Sequence, residues 1–157
     1  LNAAIGVVIT AIPINNSNQS MVTTLKKVQN QLFDLGADLC VAPDANEKEG
    51  QRLRVPPSYT KELEINIDTL NKNLTPLTSF VLPGGEKESA LLHQARTIAR
   101  RAERSITALN ATEVVNYHVL TYINRLSDLL FVMARAANAQ GELGDILWKP
   151  GEGLESD

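Results

Sequence analysis

SALLHQARTIARRAERSITAL, residues 89–109, sets four arginines and a glutamate into a run of alanine, leucine and isoleucine. At about 100° per residue, Leu91, Ala95, Ile98, Ala102, Ile106 and Leu109 share one side, so the spacing predicts a helix whose core face they form. Arg96, Arg100 and Glu103, at i, i+4 and i+7, line one border of that face. Arg104 points away and Arg101 lies towards the opposite border. Two guanidiniums one turn apart supply the fixed, forked donors that grip a polyphosphate, and Glu103 is placed to pair with one of them or to help position a metal or sugar group. The same residues also suit a solvated helix edge, where each i,i+4 pair contributes only a few tenths of a kcal/mol.

Outward from this segment, the chain reads as further helices. Strand-like alternation is nearly absent and aromatic residues make up 4% of the 157, which points to an all-α bundle. A first helix runs from Leu1 to about Thr10, ended before Pro13 and an Asn-rich turn at 15–18. From Ser20, the residues Met21, Leu25, Val28, Leu32 and Leu35 keep a three-four spacing, with Gly36 a stop or a pause. Residues 42–57, rich in charge, Pro and Gly, read as a surface loop. SYTKELEINIDTLNKNL (58–74) is a shorter amphipathic helix with Ser58 as N-cap. SFVLPGG (79–85) is a short extended piece leading into the arginine helix. The last helix, about Glu113 to Asn138, carries Val119, Ile123, Leu126, Leu130, Met133 and Ala137 in one stripe, and a Gly-rich acidic tail surrounds Trp148.

A net charge of −3 does not suggest a nucleic-acid grip driven by counterion release. One cysteine, Cys40, excludes an intramolecular disulfide and fits a reducing compartment, and two histidines are too few for a histidine-rich metal centre. The longest apolar run, AIGVVITAIPI, is broken by Gly6 and Pro13 well short of a membrane span. No Glu-x-x-His pair of the ferritin-like di-iron type occurs. Cys40 is expected in the core and His93 on the polar side of its helix. PGG at 83–85 lacks the lysine and hydroxyl residue of a P-loop and reads as a turn.

The last helix offers a second polar group. Asn124 and Asp128 are one turn apart opposite the apolar stripe, with Arg135 on nearly the same line and Arg125 to the side. In a monomer that face is wet; in an oligomer it lies on a neighbour, with Asp128 orienting an arginine and Asn124 offering donor and acceptor to a ligand. Spacing alone leaves both readings open, and leaves Phe80 readable as core.

FVLPGG, ALLHQARTIARRAERS and INRLSDLLFVMAR together resemble the PduO-type ATP:cob(I)alamin adenosyltransferases. The likeness extends from LNAAIG at the start, through LFDLGADL, to DILWKPG near the end. The resemblance implies a five-helix bundle assembling as a homotrimer, with ATP between subunits and the corrin ring beside it. It implies transfer of the 5′-deoxyadenosyl group of ATP to cob(I)alamin, giving adenosylcobalamin and triphosphate, with Mg2+ accompanying the nucleotide. Arg96 then resembles an arginine of an intersubunit ion pair near the ATP site, Arg100 one that contacts the phosphates, Glu103 and Asn124 residues near the nucleotide, and Arg125 and Asp128 supports of the interface and site. Phe80 resembles the aromatic that occupies the lower corrin face and excludes the axial base, which eases reduction of cob(II) to cob(I). Expected partners are a cob(II)alamin reductase and an adenosylcobalamin-dependent enzyme, in the cytoplasm, with no nucleic acid and no membrane.

One departure stands out. The family's T-K-T-G-D-x-G-x-T loop, which wraps the ATP phosphates, and the acidic residue that pairs with Arg96 are not among residues 1–157, so the expectation is a single helical-bundle domain with that loop upstream of Leu1 and disordered without ATP. The competing reading is a cobalamin-binding or delivery bundle that has lost ATP chemistry, and beyond that a purely structural bundle subunit.

Overall fold

A computed structural model describes residues 1–157 except Ile14, Asn16 and residues 154–157. Asn16 of the expected turn and the last four residues of the tail therefore lie outside the described residues. Among these there are five helices, α1 (Asn2–Ala11), α2 (Gln19–Leu39), α3 (Pro57–Asn71), α4 (Lys87–Leu109) and α5 (Tyr117–Gln140). None is long and apolar enough to cross a membrane.

The central element is α5, which packs against α3 on one side and most extensively against α4 on the other, while α1 closes on α4 and α2. Its expected stripe is buried throughout, and Met133 to Asn138 are all buried, because a helix covered on several sides loses its solvent face. Alanines at 134, 136 and 137 permit that close approach. On α2 the stripe residues Met21, Leu25, Val28 and Leu35 are buried, Leu32 is half-buried against the core, and the helix runs through Gly36 to Leu39.

Several expectations shift locally. The buried set on α4 is Ser89, Leu92, His93, Ala95, Ala99 and Ile106, whereas Leu91, Ile98 and Ala102 are half-buried and Leu109 is exposed. Contacts with both α5 and α1 rotate the buried face towards Leu92 and Ala99. His93 is thus interior, only 1% exposed. Cys40 is exposed, since it follows the last residue of α2 where the chain turns outward. Ser58 does not cap α3: Pro57 stands at its first turn and Pro56 is extended before it, as a residue preceding proline prefers. The N-cap of α5 is Asn116, whose side chain accepts from the His118 amide.

The loop 42–57 is tied down by Asp38. Its buried carboxylate accepts from Arg54 at 2.7 Å, from the Val55 amide at 2.7 Å and from Asn116 at 2.7 Å, joining the end of α2 to the start of α5. The extended piece after α3 is likewise pinned. Val81 bridges Leu147 in antiparallel fashion, the Leu82 amide donates to the Ile146 carbonyl and the Trp148 amide to the Phe80 carbonyl, both at 2.8 Å.

Candidate active site at the seam of α4 and α5

Four of the sequence-predicted residues meet where α4 faces α5. Arg100 is ion-paired with Glu103 along α4, and the other oxygen of Glu103, Oε1, accepts from Asn124 Nδ2 of α5 at 2.9 Å. Two turns earlier on α4, the guanidinium carbon of Arg96 lies 5.9 Å from the centroid of the Phe131 ring, within cation–π range. From Glu103 back to Arg96 is seven residues and from Asn124 on to Phe131 is also seven. The two contacts therefore belong to one antiparallel register, with an ion pair at one end and an aromatic at the other.

Arg125 and Asp128 do not join this seam chemically. Arg125 donates to Asp128 at 2.9 Å along α5 and reaches Glu64 of α3 at 3.2 Å, so it braces α5 against α3. Arg135, expected on the exposed line through Asn124 and Asp128, is instead buried at 6% exposure. Its Nε donates to Asp145 at 2.8 Å and another donor reaches the Thr75 carbonyl at 2.7 Å. A buried guanidinium is stable only when so partnered.

Below Arg96 the seam opens into a cleft of about 710 Å³ whose lining includes Phe80, Phe131, Trp148 and Arg96. Phe80 is 76% exposed, so it is not core. Trp148 meets it edge-on, with ring centroids 5.9 Å apart. Behind the cleft, His93 lies edge-on to Phe131 at 5.9 Å. Burial, reinforced by the Arg96 charge and opposed by Asp145, holds its imidazole below the usual histidine range. The shift favours the uncharged imidazole beside Arg96.

Arg96 Nε is buried without a hydrogen-bond partner among the described residues. For Mg2+ the residues present do not form a cage. No group of three or more carboxylate, histidine or cysteine side chains converges among the described residues, and both Glu103 oxygens are engaged.

Phe131 and Trp148 were not singled out as site residues. Phe131 carries a readable signal, since it follows Asn124 by two turns. Trp148 has none, because its position depends on pairing between segments far apart in sequence.

The comparisons agree with this architecture. Residues 1–137 match the family model described as cobalamin adenosyltransferase. The corrinoid adenosyltransferase of Mycobacterium leprae (strain TN) is 46% identical over 154 residues, covering 96% of this chain and 78% of that protein. Two solved structures of the PduO-type ATP:corrinoid adenosyltransferase of Lactobacillus reuteri also superpose. A phenylalanine-to-alanine variant complexed with cobalamin and ATP gives a TM-score of 0.82 at 36% identity, covering 94% of this chain and 80% of that one. An arginine-to-lysine variant complexed with ATP gives 0.80 at 37%, covering 94% and 81%. Five helices in this order, an arginine-bearing seam and an aromatic-walled cleft thus coincide with a match along most of the sequence, and the chain belongs to the cobalamin adenosyltransferase family.

Proposed function

We propose that the α4/α5 seam and the cleft beneath it are the site at which this chain transfers the 5′-deoxyadenosyl group of ATP to cob(I)alamin, with Arg100 gripping the triphosphate and Phe80 meeting the corrin. The reaction itself is that of the family: a cobalt–carbon bond forms at C5′ as the C5′–O bond breaks, and the electron pair leaves on triphosphate. Cob(I) is the nucleophile, so no general base is required. The protein's task is to align cobalt with C5′ and to stabilise charge on the departing triphosphate.

The observation that carries this reading is the register of the seam. Arg100 and Arg96 are one turn apart, about 6 Å along the axis, so a phosphate grip at Arg100 stands directly above the cleft that Arg96, Phe131 and Phe80 line. Glu103 fixes Arg100 and is itself fixed by Asn124, which leaves the arginine pre-aimed and Asn124 beside the nucleotide. Arg125 and Asp128 support the seam from the α3 side. Arg96, with an orphan Nε, pairs in this reading with a carboxylate of a neighbouring subunit in a homotrimer. Mg2+, if it accompanies ATP, is held mainly by phosphate oxygens and water. Phe80, exposed at the mouth of the cleft, covers the lower corrin face and displaces the axial base. A cytoplasmic location, a cob(II)alamin reductase and an adenosylcobalamin-dependent enzyme complete the reading.

The test is anaerobic turnover of the intact protein with MgATP and chemically reduced cob(I)alamin, followed by the visible spectrum of adenosylcobalamin and by triphosphate release. Both products are expected, and both are expected to be suppressed in Arg100→Ala. Corrinoid binding without either product would establish instead a delivery bundle without ATP chemistry.

A further inference from the structure

Phe80 poses a physical question: a 76% exposed aromatic gains little from burial, yet the backbone that carries it is held at every side. Upstream, Arg135 fixes the Thr75 carbonyl at 2.7 Å. Downstream, the fully buried Asn138 accepts from the Glu86 amide at 3.0 Å and donates to the Gly84 carbonyl at 3.2 Å. Across from it runs the tail, with the Phe80 carbonyl accepting from the Trp148 amide and Ser79 Oγ donating to the Trp148 carbonyl at 2.7 Å. The tail is anchored in turn by Asp145, which binds Arg135 at 2.8 Å. These bonds fix the Phe80 backbone, but not its ring. Among the described residues Trp148 alone makes an aromatic contact with that ring, edge-on at 5.9 Å.

We propose that Trp148 is the positioning residue for Phe80: the tail segment Asp145–Trp148, locked by Arg135, presents the indole edge that selects the ring orientation Phe80 needs against the corrin. The inference rests on the reading of Phe80 given above and adds the residue through which that reading operates. An aromatic contact of this kind removes alternative rotamers at small conformational cost, because both side chains have only two torsions. It acts on the corrin through Phe80, and so belongs to the use of cob(II)alamin more than to ATP binding.

The experiment compares wild type, Trp148→Ala, Trp148→Phe and Phe80→Ala. Each is assayed with chemically pre-reduced cob(I)alamin and with cob(II)alamin plus a reductant, and the spectrum of bound cob(II)alamin with MgATP reports axial-base exclusion. Phe80→Ala is expected to lose that signature. Trp148→Ala is expected to diminish it and to lose about threefold to tenfold more rate with cob(II) than with cob(I), the size of one edge-to-face contact, while Trp148→Phe restores most of it. A Trp148→Ala protein with the full signature, alongside a Phe80→Ala protein without it, overturns the inference and leaves the role of Phe80 standing. Retention in Phe80→Ala overturns that role and the inference with it. Trp148 is the only tryptophan in the chain, so a measurement that leaves it in place is also available. Without ligand, its emission should shift in Phe80→Ala, and an unchanged spectrum contradicts the contact.

Discussion

Asn124 Nδ2 donates to Glu103 Oε1 at 2.9 Å across the seam between α4 and α5, while the second Glu103 oxygen holds Arg100. One carboxylate thereby links Asn124, proposed to stand beside the nucleotide, to Arg100, proposed to grip the phosphates. Arg100 is half-exposed, so the ion pair contributes little to stability and its value lies in aim. Arg100→Ala should lower kcat/KM by about 10² to 10³, the loss seen when one oxyanion donor is removed, with little change in denaturant midpoint. Arg100→Lys should recover part of the loss, since charge returns but the fork does not. In a double-mutant cycle, Glu103→Ala and Asn124→Ala should couple by roughly 0.5–3 kcal/mol in kcat/KM for ATP. Additive losses would mean that the bond does not position the site.

Arg96 has one nitrogen buried without an acceptor among the described residues and lies over Phe131. If its carboxylate partner comes from another subunit, Arg96→Ala should shift the oligomer towards smaller species at low protein concentration and raise KM for ATP together with it. Sedimentation across a dilution series separates the cases. An oligomer as robust as wild type, with activity lost, would place Arg96 in the cleft alone.

His93 ties stability to pH. Burial, aided by the Arg96 charge, lowers its folded-state value, and Asp145 opposes this only in part. The unfolded chain binds a proton near pH 6.5, so between that point and the lower folded value it holds more protons than the native state. Stability from this group is complete above about pH 6.5, declines as pH falls below it, and levels off under the folded value. Melting temperatures from about pH 7.5 to about pH 5 should show a slope that His93→Phe, which keeps an aromatic against Phe131, reduces. An identical slope in the variant would assign the acid sensitivity to other groups.

How much of this was legible in the sequence depends on what periodicity encodes. The stripes of α2 and α5 were readable because three-four spacing defines a face. That spacing does not say which faces meet, so Glu103 and Asn124 appeared as members of two separate polar edges, and their bond is a property of the α4/α5 register. Arg135 was misplaced because an arginine on a polar line looks solvated until Asp145, ten residues on, folds back to it. His93 was misplaced for a related reason: Phe131 of α5 packs edge-on against a flank of α4 that the helix's own pattern leaves polar. The Phe80–Trp148 pair is legible neither from periodicity nor from spacing, because it arises where two irregular segments run side by side.

Gly85 and Gly36 make opposite predictions from the same substitution. Gly85 has φ of 87°, and a Cβ there would stand 2.3 Å from Asn138 Oδ1 and 2.8 Å from Nδ2. Asn138 is fully buried and cannot withdraw without abandoning the Glu86 amide and the Gly84 carbonyl. Gly85→Ala therefore combines a left-handed backbone penalty of about 1–2 kcal/mol with an unpaired buried amide costing about 1–3 kcal/mol. It should destabilise by roughly 2–5 kcal/mol and loosen the segment carrying Phe80. Gly36 lies inside α2 with nothing within 4 Å of its virtual Cβ, so Gly36→Ala should stabilise by about 0.5–1 kcal/mol. Urea unfolding of both variants reads the signs directly. If Gly85→Ala also impairs cob(II)alamin use more than cob(I)alamin use at temperatures where it remains folded, the backbone hold on Phe80 contributes to function. A purely thermal defect with normal turnover would confine the Asn138 network to stability.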